Sequence, residues 1–272
     1  MIKTKSKFIT PPKDFSNNVN KGEKYFRDVI DKNRTEELIT GWKSSMQGKL
    51  GYINALKKAK ILPTYYGERV LELGAGCCWF GSILSKEDSI KEIYCVDLSE
   101  NLLKNVAPHI MGYLHARDEK IVRVLNDYDN LKFEKDFFDS VAFDSSLHHS
   151  KDVVKTLEIA NNVLKKGGYV IAHREPILPL LLPNRERKRR KFATVESTKY
   201  GVIEKTYTLD EWGDMFQKAG FRVKFVPYMS FNKVPKNKIK RRILNFLCKI
   251  EVFNKLFAGY FHNRLIFVAK KL

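Results

Sequence analysis

Residues 70–81 read Val-Leu-Glu-Leu-Gly-Ala-Gly-Cys-Cys-Trp-Phe-Gly, an apolar strand that runs out into a glycine-bearing turn. Gly74 can take a positive φ, and Gly76 leaves no side chain between the backbone and a ligand. The carboxylate of Glu72 stands two positions before Gly74. Further on, Asp97 ends a second apolar run, Ile93-Tyr94-Cys95-Val96. A carboxylate at that point is where an open α/β sheet holds ribose hydroxyls. Alone, a short glycine turn is only a strand-to-helix connection; the paired carboxylate makes it a nucleoside site.

Two cofactor classes use this layout. A dinucleotide site needs a third small residue for close helix packing, and Trp79 occupies that position. Glu72 would also set a negative charge beside a pyrophosphate, whereas a cofactor with a cationic end would welcome it. The stretch resembles motif I of the class I S-adenosylmethionine-dependent methyltransferases, roughly E/D-x-G-x-G-x-G, with Cys78 in place of the last glycine. The resemblance is to their methyltransferase-11-like members and continues in order. Asn126-Asp127-Tyr128-Asp129 is similar to the segment after the family's third strand, and Phe138–Asp144 to its fourth strand. Leu147-His148-His149 and Asp152 follow, and Leu164–Val170 is similar to the turn into the fifth strand. The matched region covers residues 66–175.

The resemblance implies S-adenosylmethionine as cofactor and a role for each matched residue. Glu72, Gly74, Ala75 and Gly76 would hold its methionine end, and Asp97 with Leu98 its ribose. Asp127 with the Tyr128 backbone would take the adenine, Asp129 being an equally placed alternative, and Asp144 would complete the cofactor wall. His148 ahead of His149 would be the general base that a hydroxyl acceptor needs. The structural alternative is that the pair only hydrogen-bonds the backbone and the helix start at Asp152. His173, Arg174 and Glu175 would face the acceptor, with Arg174 suited to an anionic group. No metal is expected, because no acidic pair after the fifth strand accompanies Asp144. Asp144-Ser145-Ser146-Leu147 lacks the Pro-Pro-aromatic sequence that stacks a flipped base in DNA amino-methyltransferases.

Composition bounds the rest. With 272 residues the chain can bury one full α/β core plus additions. No apolar run approaches the roughly 18 residues a membrane span needs, and no signal sequence is expected. The four cysteines, Cys77, Cys78, Cys95 and Cys248, lack metal-ligand spacing, so a reduced, cytoplasmic protein is expected. The formal charge of +19 points to an anionic partner, unless it only reflects a Lys-, Asn- and Ile-rich composition.

Strands are expected near 69–73, 93–97, 121–125, 138–143, 169–173, 221–226 and 264–269. Helical stretches alternate with them, which means a doubly wound, mostly parallel seven-stranded sheet. Residues 1–65 read as an arm and a helical cap, with Leu38, Trp42, Met46 and Leu50 at four-residue steps; residues 66–272 read as the catalytic domain. Thr208-Leu209-Asp210-Glu211 is a capping box. Two basic insertions, 174–206 and 227–263, leave from the carboxyl edge of the sheet, where ligands bind. In the second, Ile239, Ile243, Phe246, Ile250, Phe253 and Phe257 form the apolar stripe of a basic amphipathic helix. The expected function is O-methylation of a small molecule or a glycan or lipid-linked precursor. Two alternatives stay open: an RNA methyltransferase whose insertions track phosphates, and a non-catalytic cofactor-binding protein. Contact of residues 236–257 with the inner face of a membrane is a further expectation, against a lid formed with 174–206.

Overall fold

The computed structural model describes residues 6–10, 32–127, 131–180, 201–229, 237–247, 250, 252–253, 256 and 263–272. Its strands are β1 Lys7–Ile9, β2 Arg69–Leu73, β3 Glu92–Asp97, β4 Ile121–Leu125, β5 Phe138–Asp144, β6 Leu164–His173, β7 Phe221–Met229 and β8 Asn263–Lys271. The helices are α1 Thr35–Lys58, α2 Trp79–Leu84, α3 Ala107–Tyr113, α4 Val153–Val163, α5 Leu209–Lys218 and α6 Lys238–Leu247. The eight strands form one sheet ordered β1-β4-β3-β2-β5-β6-β8-β7. Pairing is parallel from β1 to β6, and β8 runs antiparallel between β6 and β7. The sheet therefore has eight strands, one more than expected. The extra one is β1, whose three residues lie in the stretch read as an arm; it is too short for any alternation to show.

The central strands read as nearly unbroken apolar runs because helices cover both faces. Alternation then sorts them. Val70, Ile93, Cys95 and Ala142 face a core shared with Leu56 of α1, Phe80 of α2 and Ile110 of α3. Leu71, Leu73, Val96, Val141 and Phe143 face the opposite core, with Leu157 of α4 and Trp212 and Phe216 of α5. The capping box of α5 forms as expected, with Thr208 Oγ1 accepting from Glu211 N and Glu211 Oε2 from Thr208 N.

Helix α1 differs from its expected stripe. Ile39, Met46, Ile53 and Leu56 are buried, whereas Leu50 is exposed. Leu38 and Trp42 are only partly buried, because they line a cavity at the carboxyl edge.

From β2 the chain winds outward through β3 to β4, then crosses to the other side of β2 for β5 and β6. The connections thus diverge between β2 and β5, and a crevice opens at the carboxyl ends there. The 174–206 segment leaves from the end of β6, and the Met229↔Asn263 pairing starts and ends the 230–262 segment at that same edge.

Candidate active site

A cavity of about 340 Å³ occupies this crevice, within the size range of small-ligand sites. The turn after β2 supplies Gly74, Ala75 and Gly76, and β3 supplies Asp97 and Leu98. Beyond β5 come Asp144, Ser145, Ser146 and His149, and Arg174 follows β6. Helix α1 adds Leu38, Trp42 and Lys49 to the lining, a role its four-residue spacing does not announce. The Lys49 ammonium lies 4.4 Å from the Trp42 ring centroid and 4.8 Å from that of Trp79, placing a cation over two aromatic faces.

The turn is built for close approach. Gly74 and Gly76 have φ of 71° and 54°, and a methyl group placed on Gly76 would meet no protein atom within 4 Å. Asp97 fixes this turn, accepting from Gly76 N at 2.8 Å and from Ser99 N at 2.8 Å. Cys78 holds a left-handed φ of 56°, the conformation glycine takes most readily.

Glu72 lies beneath the turn rather than in the cavity. It is 1 % exposed, and its Oε2 accepts from Gly81 N at 3.0 Å and from Cys95 Sγ at 3.4 Å. Gly81 is needed there, because an added Cβ would sit 2.9 Å from that oxygen and 2.5 Å from Cys95 Sγ. Burial, reinforced by the Asp144 charge, pushes the Glu72 carboxyl up from 4.5 to about 8. It is therefore mostly protonated at neutral pH and brings little charge to a methionine end. The sign of its pH effect follows. Between pH 4.5 and about 8 the unfolded chain releases a proton that the folded chain keeps, so stability falls as pH rises through this window. Glu72→Gln should flatten that decline; parallel melting-temperature curves for the two proteins from pH 5 to 9 would refute it.

Across the cavity, Asp144 is the central carboxylate. Trp79 Nε1 donates to its Oδ2 at 2.7 Å, Arg174 Nε donates to Oδ1 at 2.5 Å, and a second Arg174 nitrogen donates to Oδ2. His173 Nδ1 lies 2.9 Å from Oδ1. Burial alone would raise this carboxyl, but the Arg174 and His173 charges hold it well below the usual carboxylate range. Trp79 thus lines the cavity and also orients one of its carboxylates.

The two histidines separate in the structure. Both rings sit on the 3-10 turn Leu147–His149, with centroids 4.1 Å apart. His148 is buried, outside the cavity lining, and its Nδ1 lies 2.7 Å from Glu175 Oε2. Glu175 in turn accepts from the backbone N–H groups of Ser146, Leu147 and His148. Burial would lower the His148 pKa, but Glu175 and then Glu204 push it up to about 9. His149 is the histidine at the cavity wall. Its Nδ1 lies 2.6 Å from the Ile203 carbonyl, which only accepts, so Nδ1 carries the proton and Nε2 the lone pair of the neutral ring.

Of the expected acceptor residues, Arg174 lines the cavity, whereas His173 is fully buried beside Phe80 and Glu175 supports the His148 turn. Asp127 is buried at the end of β4 and is not part of the lining; Tyr128 and Asp129 lie outside the described residues.

Residues 71–172 match the family described as Methyltransferase domain. The chain contains a class I S-adenosylmethionine-dependent methyltransferase domain. The domain is 33% identical over 101 residues to the human mitochondrial arginine-hydroxylase NDUFAF5, covering 37% of this chain and 27% of that protein. The chain thus spans about a quarter of that relative's length. Demethylmenaquinone methyltransferase of Staphylococcus saprophyticus is 25% identical over 179 residues, 64% of this chain and 67% of the relative. The Haemonchus contortus phosphoethanolamine N-methyltransferase 2, solved with phosphomonomethylethanolamine and S-adenosylhomocysteine, shares the fold. Its TM-score is 0.58 at 20% identity, over 90% of this chain and 60% of that one. S-adenosylmethionine is the cofactor of such methyltransferases, and the open glycine turn and Asp97 of this domain line the cavity.

Proposed function

We propose that the protein transfers a methyl group from S-adenosylmethionine to an oxygen of a small molecule or of a glycan or lipid-linked precursor. The observation that carries this reading is that the Gly74–Gly76 turn, Asp97 and His149 line one and the same cavity. Bound there, the cofactor supplies a methyl on a sulfonium, an already activated leaving group. What the protein adds is alignment of the acceptor and a place for its proton. His149 Nε2, not the doubly flanked His148, is the group at the cavity wall that activates the acceptor hydroxyl. The relatives' names give a hydroxylase, a quinone methyltransferase and an N-methyltransferase, so the acceptor is not carried by the fold.

Isothermal titration with S-adenosylhomocysteine tests the premise, and no binding at sub-millimolar ligand would sink it. Asp97→Ala should weaken that binding by about 1–3 kcal/mol, since hydrogen bonds to a charged acceptor are lost. An unchanged dissociation constant would put the ribose elsewhere. Turnover of labelled cofactor with glycan and small-molecule acceptors would remove the alternative of a non-catalytic binding protein.

A second reading concerns the surface. Ile239, Ile243 and Phe246 of α6 are exposed at 69%, 55% and 66%, an apolar stripe on a basic segment. Among the described residues no helix is long and apolar enough to cross a membrane. The stripe suits peripheral contact with an anionic leaflet, each nearby basic residue adding about 1 kcal/mol. Sedimentation with anionic and neutral vesicles decides between this and a lid over the cavity. Binding to anionic vesicles alone supports the membrane, whereas equal or no partitioning supports the lid. The RNA alternative requires binding that falls steeply with salt; no tRNA or rRNA binding at low salt removes it.

A further inference from the structure

His148, His149 and Glu204 converge although they come from separate parts of the chain. The 201–207 stretch is pinned against the turn after β5. Lys205 N donates to the His148 carbonyl at 3.4 Å, Lys205 Nζ to the Lys151 carbonyl at 2.6 Å, and Tyr207 bridges to Ile177. This sets Glu204 over both rings. His148 Nε2 lies 3.3 Å from Glu204 Oε2, and His149 Nε2 lies 3.8 Å from Glu204 Oε1. One donor atom from each of the three residues falls within 4.8 Å of the others. Ligands 2.0–2.2 Å from a tetrahedral ion stand about 3.4 Å apart, so both histidine–carboxylate distances are within about 0.5 Å of coordination spacing and the third pair is within about 1.5 Å of it.

The surroundings of the two rings favour a cation. A metal-bound histidine is oriented by an acceptor on its other ring nitrogen. Here both Nδ1 atoms have one: the Glu175 carboxylate for His148 and the Ile203 carbonyl for His149. Both Nε2 atoms are thereby directed at Glu204. Two imidazoles and one carboxylate suit a divalent first-row transition ion, whereas calcium and magnesium prefer oxygen ligands throughout. Three protein ligands leave at least one coordination position, and His149 places it at the cavity wall.

The geometry points to a site for a divalent transition metal formed by His148, His149 and Glu204, beside the methyl-donor cavity. The ion's open position would receive an acceptor oxygen; that role rests on the methyl-transfer reading, while the site itself does not.

The full chain, freed of metal with a chelator, is titrated with Co²⁺ and followed by visible ligand-field absorption. The expected result is a saturable 1:1 spectrum of a low-symmetry ion. Glu204→Gln and His149→Ala should each lower Co²⁺ affinity by about tenfold or more, and Asp97→Ala should leave it unchanged. Glu204→Gln is nearly isosteric, and unchanged circular dichroism confirms its fold. No saturable spectrum, or the same affinity in both ligand variants, would overturn the site. The first result would leave a proton shared between His148 and Glu204, the second a cation bound elsewhere. S-adenosylhomocysteine titration of the same samples reports on the cofactor reading separately. Co²⁺ binding without it keeps the metal site and removes the methyl-transfer reading.

Discussion

Replacing His149 with alanine is expected to lower turnover about 10²–10⁴-fold, with affinity for S-adenosylhomocysteine nearly intact. The side chain lines the same cavity as the glycine turn, beyond the end of β5, and its Nδ1 is fixed on the Ile203 carbonyl. That contact leaves Nε2 as the ring atom able to take a proton or hold an ion. The same loss follows whether Nε2 accepts the acceptor's proton or ligates a metal that lowers that proton's pKa; the Co²⁺ spectrum separates the two. His148→Ala should behave differently. It leaves buried Glu175 without its imidazole partner, so loss of stability should accompany loss of turnover. Near-normal turnover in His149→Ala, with cofactor binding retained, would refute the assignment.

How much of this could be read from the sequence depends on whether the signal was local. That the Gly74–Gly76 turn and Asp97 share one cavity is legible because strand, turn and strand-end carboxylate follow one another along the chain. Glu72 lies on the same strand but is not part of the cavity lining. Side chains alternate along β2, so Glu72 shares the face of Val70 and points under α2 toward Cys95, not into the crevice. That alternation is present in the sequence itself. The cavity's outer wall was hidden differently. Leu38 and Trp42 fit the four-residue spacing of a core stripe, and only the docking of α1 turns them toward the ligand space. Glu204 had no local signal. It becomes a neighbour of His148 and His149 because Lys205 and Tyr207 attach its stretch to the turn after β5 and the loop after β6, a tertiary contact without periodicity.

Asp144→Ala is expected to destabilise the protein by about 3–5 kcal/mol, the usual effect of removing one partner of a buried ion pair. The carboxylate accepts from Trp79 Nε1 and from two nitrogens of Arg174, and its side chain is 4% exposed. Without it, a largely buried guanidinium and an indole N–H both lose their acceptor. Asp144→Asn should lose less, because the amide oxygen can still accept from Trp79. The pH dependence has a definite sign. Arg174 and His173 hold the Asp144 carboxyl below its ordinary range despite burial, so its stabilisation is present above the unfolded pKa of about 4. The gap between wild type and Asp144→Ala should therefore narrow as pH falls below that value. Urea unfolding at several pH values measures it. A loss under about 1 kcal/mol would mean that Arg174, which also lines the cavity, has swung into solvent.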